Sequence, residues 1–352
     1  MNSTAYLIKT LGIQYPIIQA PMAGGATTPE LISAVSNSGG LGSLGAGYMA
    51  PEEIRDAIKK IRTLTQKPFA VNLFIPQKSH ATHEKILQSC KSIELSCEEL
   101  NLTITPATPP YLSSFEDQMR VIIEEAVPVF SFTFGMLDSY WILALKKNGT
   151  KLIGTATNIT EASLLESSGV DAVVAQGSEA GGHRGTFIGK AEDSLSNTVS
   201  LLTNIVNEVT IPVIPAGGVI NGAQIASLLK QRAAAVQMGT AFLACVESGI
   251  HTNYKKMLLS KAPLETILTT AFSGKLARGI RNQFTDRMIN HQENILDYPI
   301  QDALTQSMRK LAAKQNNTDF MSMWAGELFY ECRDISATAL MNQLIYDLQM
   351  GQ

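Results

Sequence analysis

Residues 212–240 read PVIPAGGVINGAQIASLLKQRAAAVQMGT. Two short apolar runs, Pro212–Ala216 and Ala234–Gln237, flank a segment in which Ile225, Leu228 and Leu229 recur at helical spacing. The runs do not alternate with polar residues, which is the pattern of a parallel strand buried on both faces. Each run ends in glycine: Gly217–Gly218 after the first, Met238–Gly239–Thr240 after the second. Strand, glycine turn, helix, strand is one βα unit and the start of the next.

Working outward, the same unit recurs. Six more runs have this character: Pro16–Gln19, Gly42–Leu44, Phe69–Asn72, Val127–Phe132, Lys151–Thr155 and Asp171–Ala175. Between them Ile54, Ala57, Ile58, Ile61 and Leu64 form one amphipathic stripe, and Phe115, Met119, Ile122, Ile123 and Ala126 another. Ser113 and Ser114 can cap the second stripe, and a further helix opens at Asn158 and stops at Gly169. Eight strands in repeated βα units predict a closed (β/α)8 TIM barrel. Two stretches break the repeat. Residues 75–111 interrupt a crossover, and from about Lys275 onward the chain reads as polar helices without clear strands, such as Asp302–Lys314 and Ser336–Met350. Residues 1–74 and 112–275 are therefore expected to form the barrel, and 75–111 and 276–352 a helical cap or substrate domain over its mouth.

The bulk numbers agree with a folded domain of this size. The chain has 352 residues, 45% hydrophobic and 17% charged, with a formal net charge of −3. No basic field invites nucleic acid or an acidic membrane, so the expected partner is a small molecule, and a homodimer is compatible with the pattern. Four cysteines without a close pair suit a reducing compartment, and no zinc spacing exists among them and the five histidines. With no signal-peptide pattern and no apolar run of spanning length, a cytoplasmic protein is expected.

In such a barrel the chemistry sits on loops leaving the carboxyl ends of the strands. Residues unlike packing material fall there repeatedly: Ala20–Gly25 after the first predicted strand, Asn72 at the end of the third, Gln176–Gly185 after the sixth. Gly217–Gly218 and Gly239–Thr240 leave the last two strands, where backbone N–H groups can approach a phosphate. Gly40–Gly45 matches GxGxxG formally, but its glycines surround a strand instead of following one, so it predicts a tight strand entry. His183, flanked by Gly181–Gly182 and Gly185, is the strongest catalytic candidate, because an imidazole can exchange a proton near neutrality. Gln176 and Gln237 suit the polar edge of a flavin, and Met22 its apolar face, although packing alone would also account for them. Glu179 and Arg184 are expected to pin the loop.

At these residues the chain resembles the nitronate monooxygenases, formerly called 2-nitropropane dioxygenases, of the bacterial type. The matching stretches are Gln19–Gly25, Ser36–Gly42, Asn72–Phe74, Glu179–Gly185, Pro215–Gly218 and Gln237–Thr240, with Phe272–Lys275 and Trp324–Gly326 further on. The resemblance implies an FMN site made from Met22, Asn72, Gln176, Gly181, Gly218 and Gln237, Met238, Gly239 and Thr240, with His183 near the reactive ring. It implies oxidation of an alkyl nitronate, such as propionate 3-nitronate, with O2 to a carbonyl compound and nitrite. His183 would orient the anion when protonated, or remove an α-proton from a nitroalkane when neutral. Tyr298, before Pro299, is the candidate for substrate contact from the cap.

Two positions depart from the family pattern. Thr133 stands where related sequences often carry His, so a second imidazole is lost, and Glu327–Leu328 follow Trp324–Gly326 where Gln-Gly is commoner. A flavin-dependent enoyl-acyl-carrier-protein reductase has a similar barrel and a Gly-Gly-His loop, but the wording of Ala180–Gly185 favours the monooxygenase. A mechanism built on a mobile-loop thiolate, as in inosine-monophosphate dehydrogenases, has no cysteine between Cys97 and Cys245 to use. A flavin-binding protein without turnover is the alternative outside enzymes.

Overall fold

The computed structural model describes residues 2–350. Its strands are β1 (Ile17–Gln19), β2 (Gly42–Gly45), β3 (Phe69–Phe74), β4 (Val129–Thr133), β5 (Lys151–Ala156), β6 (Ala172–Gln176), β7 (Gly182–His183), β8 (Val213–Ala216), β9 (Val236–Met238), β10 (Thr266–Thr269) and β11 (Ala277–Ile280). Eight of them pair in parallel in the order β1-β9-β8-β6-β5-β4-β3-β2. The two edges meet where Gln19 N donates to Leu41 O at 2.9 Å and Leu41 N donates to Ile17 O at 3.0 Å. The sheet is therefore a (β/α)8 barrel, and its eight strands are the eight read from the sequence, shifted by a residue or two at their ends.

Alternation explains why the strands look uniformly apolar. On β6, Val173 and Ala175 belong to the cluster shared with the outer helices, whereas Ala172 and Val174 belong to the smaller interior cluster. Leu7 and Leu11 of the first helix, Ser3–Leu11, join that interior cluster and close the amino end of the barrel. Helix Pro51–Leu64 buries Ile54, Ile58 and Ile61 as its stripe requires. Ser114 caps Phe115–Glu124 by accepting from Asp117 N, Asn158 caps Ile159–Ser168, and Gly169 ends it at φ 89°. The GxGxxG glycines serve packing: a Cβ on Gly42 would lie 2.2 Å from Ile32 O, and one on Gly45 2.5 Å from Ala23 N.

The region after Lys275 departs from expectation. It is not free of strands: β11 pairs antiparallel with β10 and with β7, in register Ala277 to His183 and Arg278 to Gly182. Arg278 and Gly279 break any alternating pattern in β11, so propensity does not reveal it. Thr266–Thr269 is β-branched at three of its four positions and was the available signal. Helix His83–Glu98 contributes Ile86, Cys90, Ile93 and Cys97 to a second core cluster, together with Phe272, Phe284, Ile300, Leu304 and Met308. The last helix, Ala337–Met350, lies instead against barrel helices Pro29–Asn37 and Gly222–Lys230, and its buried face joins the barrel's own cluster. Among the described residues no helix is long and apolar enough to cross a membrane.

Candidate active site

The carboxyl ends of the strands open onto a cavity of about 560 Å³. Met22, Asn72, Gln176, Gly181, Gly217, Gly218, Gln237, Met238, Gly239, Thr240 and His183 all line it, although they come from loops far apart in the chain. Tyr298 does not line it. The structure sets Tyr298 behind Phe134, with ring centroids 5.8 Å apart, in the wall of an adjoining hollow of about 320 Å³.

The glycines at the rim are there for conformation and for closeness. Gly217 and Gly218 have φ of 118° and 64°, and a Cβ on Gly217 would come within 2.8 Å of Ala180 N. A Cβ on Gly181 would come within 2.5 Å of Gly326 N, so this glycine answers to the Trp324–Gly326 segment above it. At Gly24 and Gly182 a Cβ would meet nothing within 4 Å, and at Gly239 only Ala20 and Met22, at 3.5 Å or more. These positions leave bare backbone facing the hollow. Gln237 lines the same space with neither end of its amide in a protein hydrogen bond among the described residues, and Asn72 has spent only its Nδ2, on Ser131 at 2.9 Å. Such amides suit the heteroatom edge of a flavin and its ribityl chain, and the bare backbone suits a phosphate. The residues present fit FMN.

Gln176 has a different task. Its Oε1 accepts from Gly185 N at 2.8 Å and its Nε2 donates to His183 O at 3.0 Å, so it braces the histidine loop. Arg184 is almost wholly buried and donates to the carbonyls of Gln176, Gly177 and Ser194. Burial lowers its pKa to about 10, which leaves it charged at neutral pH. Glu179 accepts from Thr198 N and Oγ1 at the start of helix Thr198–Glu208. Glu179 and Arg184 thus pin the loop separately, each through its own hydrogen-bond partners and not through each other.

His183 stands in an aromatic cage, with ring centroids 5.1 Å from Trp324, 6.0 Å from Phe134 and 6.3 Å from Tyr298. Its Nε2 lies 2.8 Å from Ser273 Oγ. Burial, with Lys275 and Arg309 nearby, lowers its pKa to about 3. Burial thus favours the neutral form, the one expected to take up a proton, over the protonated form expected to attract an anion. The positive charges near it are those of Lys275 and Arg309. Lys275 Nζ sits 4.5 Å from the Phe134 centroid and donates to Thr186 O, its pKa lowered by burial against the opposing pull of Glu161. Arg309 Nη2 pairs with Asp302 Oδ1 at 2.8 Å, while burial holds the Asp302 carboxyl above its ordinary range. Asp302 and Arg309 both line the cavity.

Sequence reasoning gave no role to Lys275, Trp324, Tyr48 or Arg309. The Gly45–Ala46–Gly47–Tyr48 loop after β2 was a usable signal, being glycine-rich at a strand's carboxyl end. Arg309 had none, since a basic residue on a polar helix reads as solvated surface. The Tyr48 and Tyr298 hydroxyls are near enough to influence each other, yet no hydrogen bond of ordinary geometry reaches Tyr298 Oη. Thr133 lines the cavity, its Oγ1 3.5 Å from Thr155 Oγ1.

The chain is similar in sequence and fold to known proteins. The family model described as nitronate monooxygenase matches residues 4–347. The chain belongs to the nitronate monooxygenase family. A protein of Staphylococcus saprophyticus named probable nitronate monooxygenase is 40% identical over 347 residues, covering 98% of each chain. One of Staphylococcus haemolyticus with the same name is 42% identical over 341 residues, 96% of this chain and 95% of that one. The solved nitroalkane oxidase of Streptomyces ansochromogenes superposes with a TM-score of 0.91 at 37% identity, covering 97% of this chain and 98% of that one. FabK of Thermotoga maritima gives a TM-score of 0.77 at 30% identity, over 98% and 96%. This nitronate monooxygenase family member is an oxidoreductase built on a (β/α)8 barrel.

Proposed function

We propose that the protein binds FMN at the barrel rim and oxidises alkyl nitronates, such as propionate 3-nitronate, with O2 to a carbonyl compound and nitrite. The observation that carries this reading is a neutral, caged imidazole with two cations beside it, opening on a hollow whose other walls are bare glycine backbone and unspent amides. FMN, when bound, would supply the one-electron chemistry that joins the nitronate to O2. Gly217, Gly218, Gly239 and Thr240 would hold its phosphate, Asn72 and Gln237 its polar edges, and Met22 its apolar face.

The chain's own residues divide the remaining work. Lys275 and Arg309 favour an anion at the site. The cage of Phe134 and Trp324 keeps water from the reacting atoms. His183 holds or moves one proton: it accepts the α-proton of a neutral nitroalkane, or takes a solvent proton when an anionic nitronate settles beside it. A base with pKa near 3 is a weak one for carbon acids, so preformed nitronates are the better substrates. The division into an FMN-binding barrel and a cap that shapes the substrate end of the hollow is part of the same proposal.

The test uses the purified protein. A flavin absorbance band, with oxygen uptake and nitrite release on adding propionate 3-nitronate, is the expected result. His183→Ala keeps the flavin, loses about 100-fold or more of its activity on neutral nitroalkanes, and loses less on preformed nitronates. Equal losses on both substrates would remove His183 from proton handling. Rapid bleaching of the flavin by NAD(P)H would replace the reading with a flavin-dependent enoyl-acyl-carrier-protein reductase, and flavin without turnover on any of these substrates with a binding protein.

A further inference from the structure

Ser273 is buried, and its hydroxyl has three neighbours. Lys275 N donates to its Oγ at 3.3 Å, Oγ lies 3.2 Å from Lys275 O, and His183 Nε2 lies 2.8 Å away. A hydroxyl has one proton to give and two lone pairs to receive with. The amide N–H can only donate, and the carbonyl can only accept. If the serine proton goes to Lys275 O, the remaining lone pair must receive a proton from His183 Nε2, and all three contacts are hydrogen bonds. If the proton goes to Nε2 instead, the contact with Lys275 O is an oxygen facing an oxygen. Only the first arrangement satisfies every partner.

The serine has no freedom to choose another. Gly274, the next residue, has φ 77°, and a Cβ there would fall 1.9 Å from Leu296 O. Gly274 N donates to Thr270 O at 2.7 Å, and Thr305 Oγ1 donates to Phe272 O. The turn that carries Ser273 is thus held on both sides of it.

We propose that Ser273 is a positioning residue that fixes His183 as the Nε2–H tautomer, leaving Nδ1 as the one imidazole lone pair offered to a bound molecule. No protein group among the described residues bonds to Nδ1. The consequence for substrate rests on the function proposed above. With a neutral nitroalkane, the α C–H bond breaks, its proton goes to Nδ1, and its electron pair passes into the nitro group to give the nitronate. Nε2–H stays on Ser273 throughout. With a nitronate taken from solution, Nδ1 first takes a proton from solvent and only then donates to a nitronate oxygen.

Nitrogen-15 NMR of the protein as purified, labelled at histidine and assigned with His183→Gln, reads the tautomer directly. The expected spectrum at neutral pH has a pyrrole-type Nε2 and a pyridine-type Nδ1. In Ser273→Ala the two nitrogens move toward averaged shifts, flavin content is unchanged, and kcat on a neutral nitroalkane falls about tenfold. Ser273→Thr keeps the hydroxyl and restores both readouts. A pyridine-type Nε2 in the unaltered protein overturns the proposal, as does Ser273→Ala with an unchanged nitrogen signature. The NMR needs no turnover, so a protein inactive on nitro compounds but with the stated tautomer would sink the function and leave this assignment standing.

Discussion

Burial and two neighbouring cations keep the His183 imidazole unprotonated down to about pH 3. An anionic nitronate placed beside it must raise that pKa, because opposite charges favour the protonated form. Binding of the anion is then coupled to uptake of one proton. Above pH 3, KM for a nitronate should rise by about tenfold per pH unit until pH passes the imidazole's pKa in the complex, and then level off. His183→Gln should show no such rise, and oxygen-uptake kinetics across the pH range in both forms decide the matter. The same depression acts on stability with a definite sign. The unfolded chain binds a proton near pH 6.5 that the folded site refuses, so the fold loses stability as pH falls from there toward 3. His183 itself was legible in the sequence from its glycine flanks and its place after a strand. Its protonation was not, since that depends on Lys275 and Arg309, which lie 92 and 126 positions further along the chain.

At the scale of elements, the loop between β6 and helix Thr198–Glu208 is a rigid piece. Gln176 braces it from below, β7 joins it to β11, and the Arg184 fork ties three of its carbonyls together. Arg184→Met would remove the guanidinium donors of the Gln176 and Ser194 carbonyls, while Gly177 O keeps Ala180 N, at a cost of roughly 3 kcal/mol. Arg184→Lys should recover little, because an ammonium cannot reproduce the planar fork. Urea unfolding midpoints of the two variants check both statements, and a Met variant as stable as the parent would show that the fork is dispensable. Barrel strands were readable because each is a short apolar run bounded by turn residues. The β7–β11 pairing was not, because two residues of β7 and an Arg-Gly inside β11 carry no periodicity, and their partners are set by tertiary contact alone.

For the whole molecule, the last helix matters to the barrel more than to the rim. Leu344 is fully buried against the barrel helices, and a Cβ on Gly222 would lie 2.7 Å from Leu344 O, so the two helices touch through backbone. Leu344→Ala should cost about 2–5 kcal/mol of stability while leaving KM and flavin content unaltered. Thermal unfolding and steady-state kinetics on the same preparation separate the two effects, and a large change in KM with stability intact would place the helix at the site after all. The sequence marks Ser336–Met350 as helical, but helical pattern alone does not say which neighbour an apolar stripe will meet.

The cavity has a floor and a ceiling of unlike character. The floor is glycine backbone and braced loop, where an added atom at Gly181 or Gly217 collides with the main chain and one at Gly24, Gly182 or Gly239 enters the hollow itself. The ceiling includes helix Ile300–Lys314, which lends Gln306 and Lys310 to the lining while both remain largely open to solvent. For redesign, the ceiling is where new substrates can be admitted: side chains there can be exchanged for longer, shorter or oppositely charged ones without disturbing the proposed FMN seat beneath.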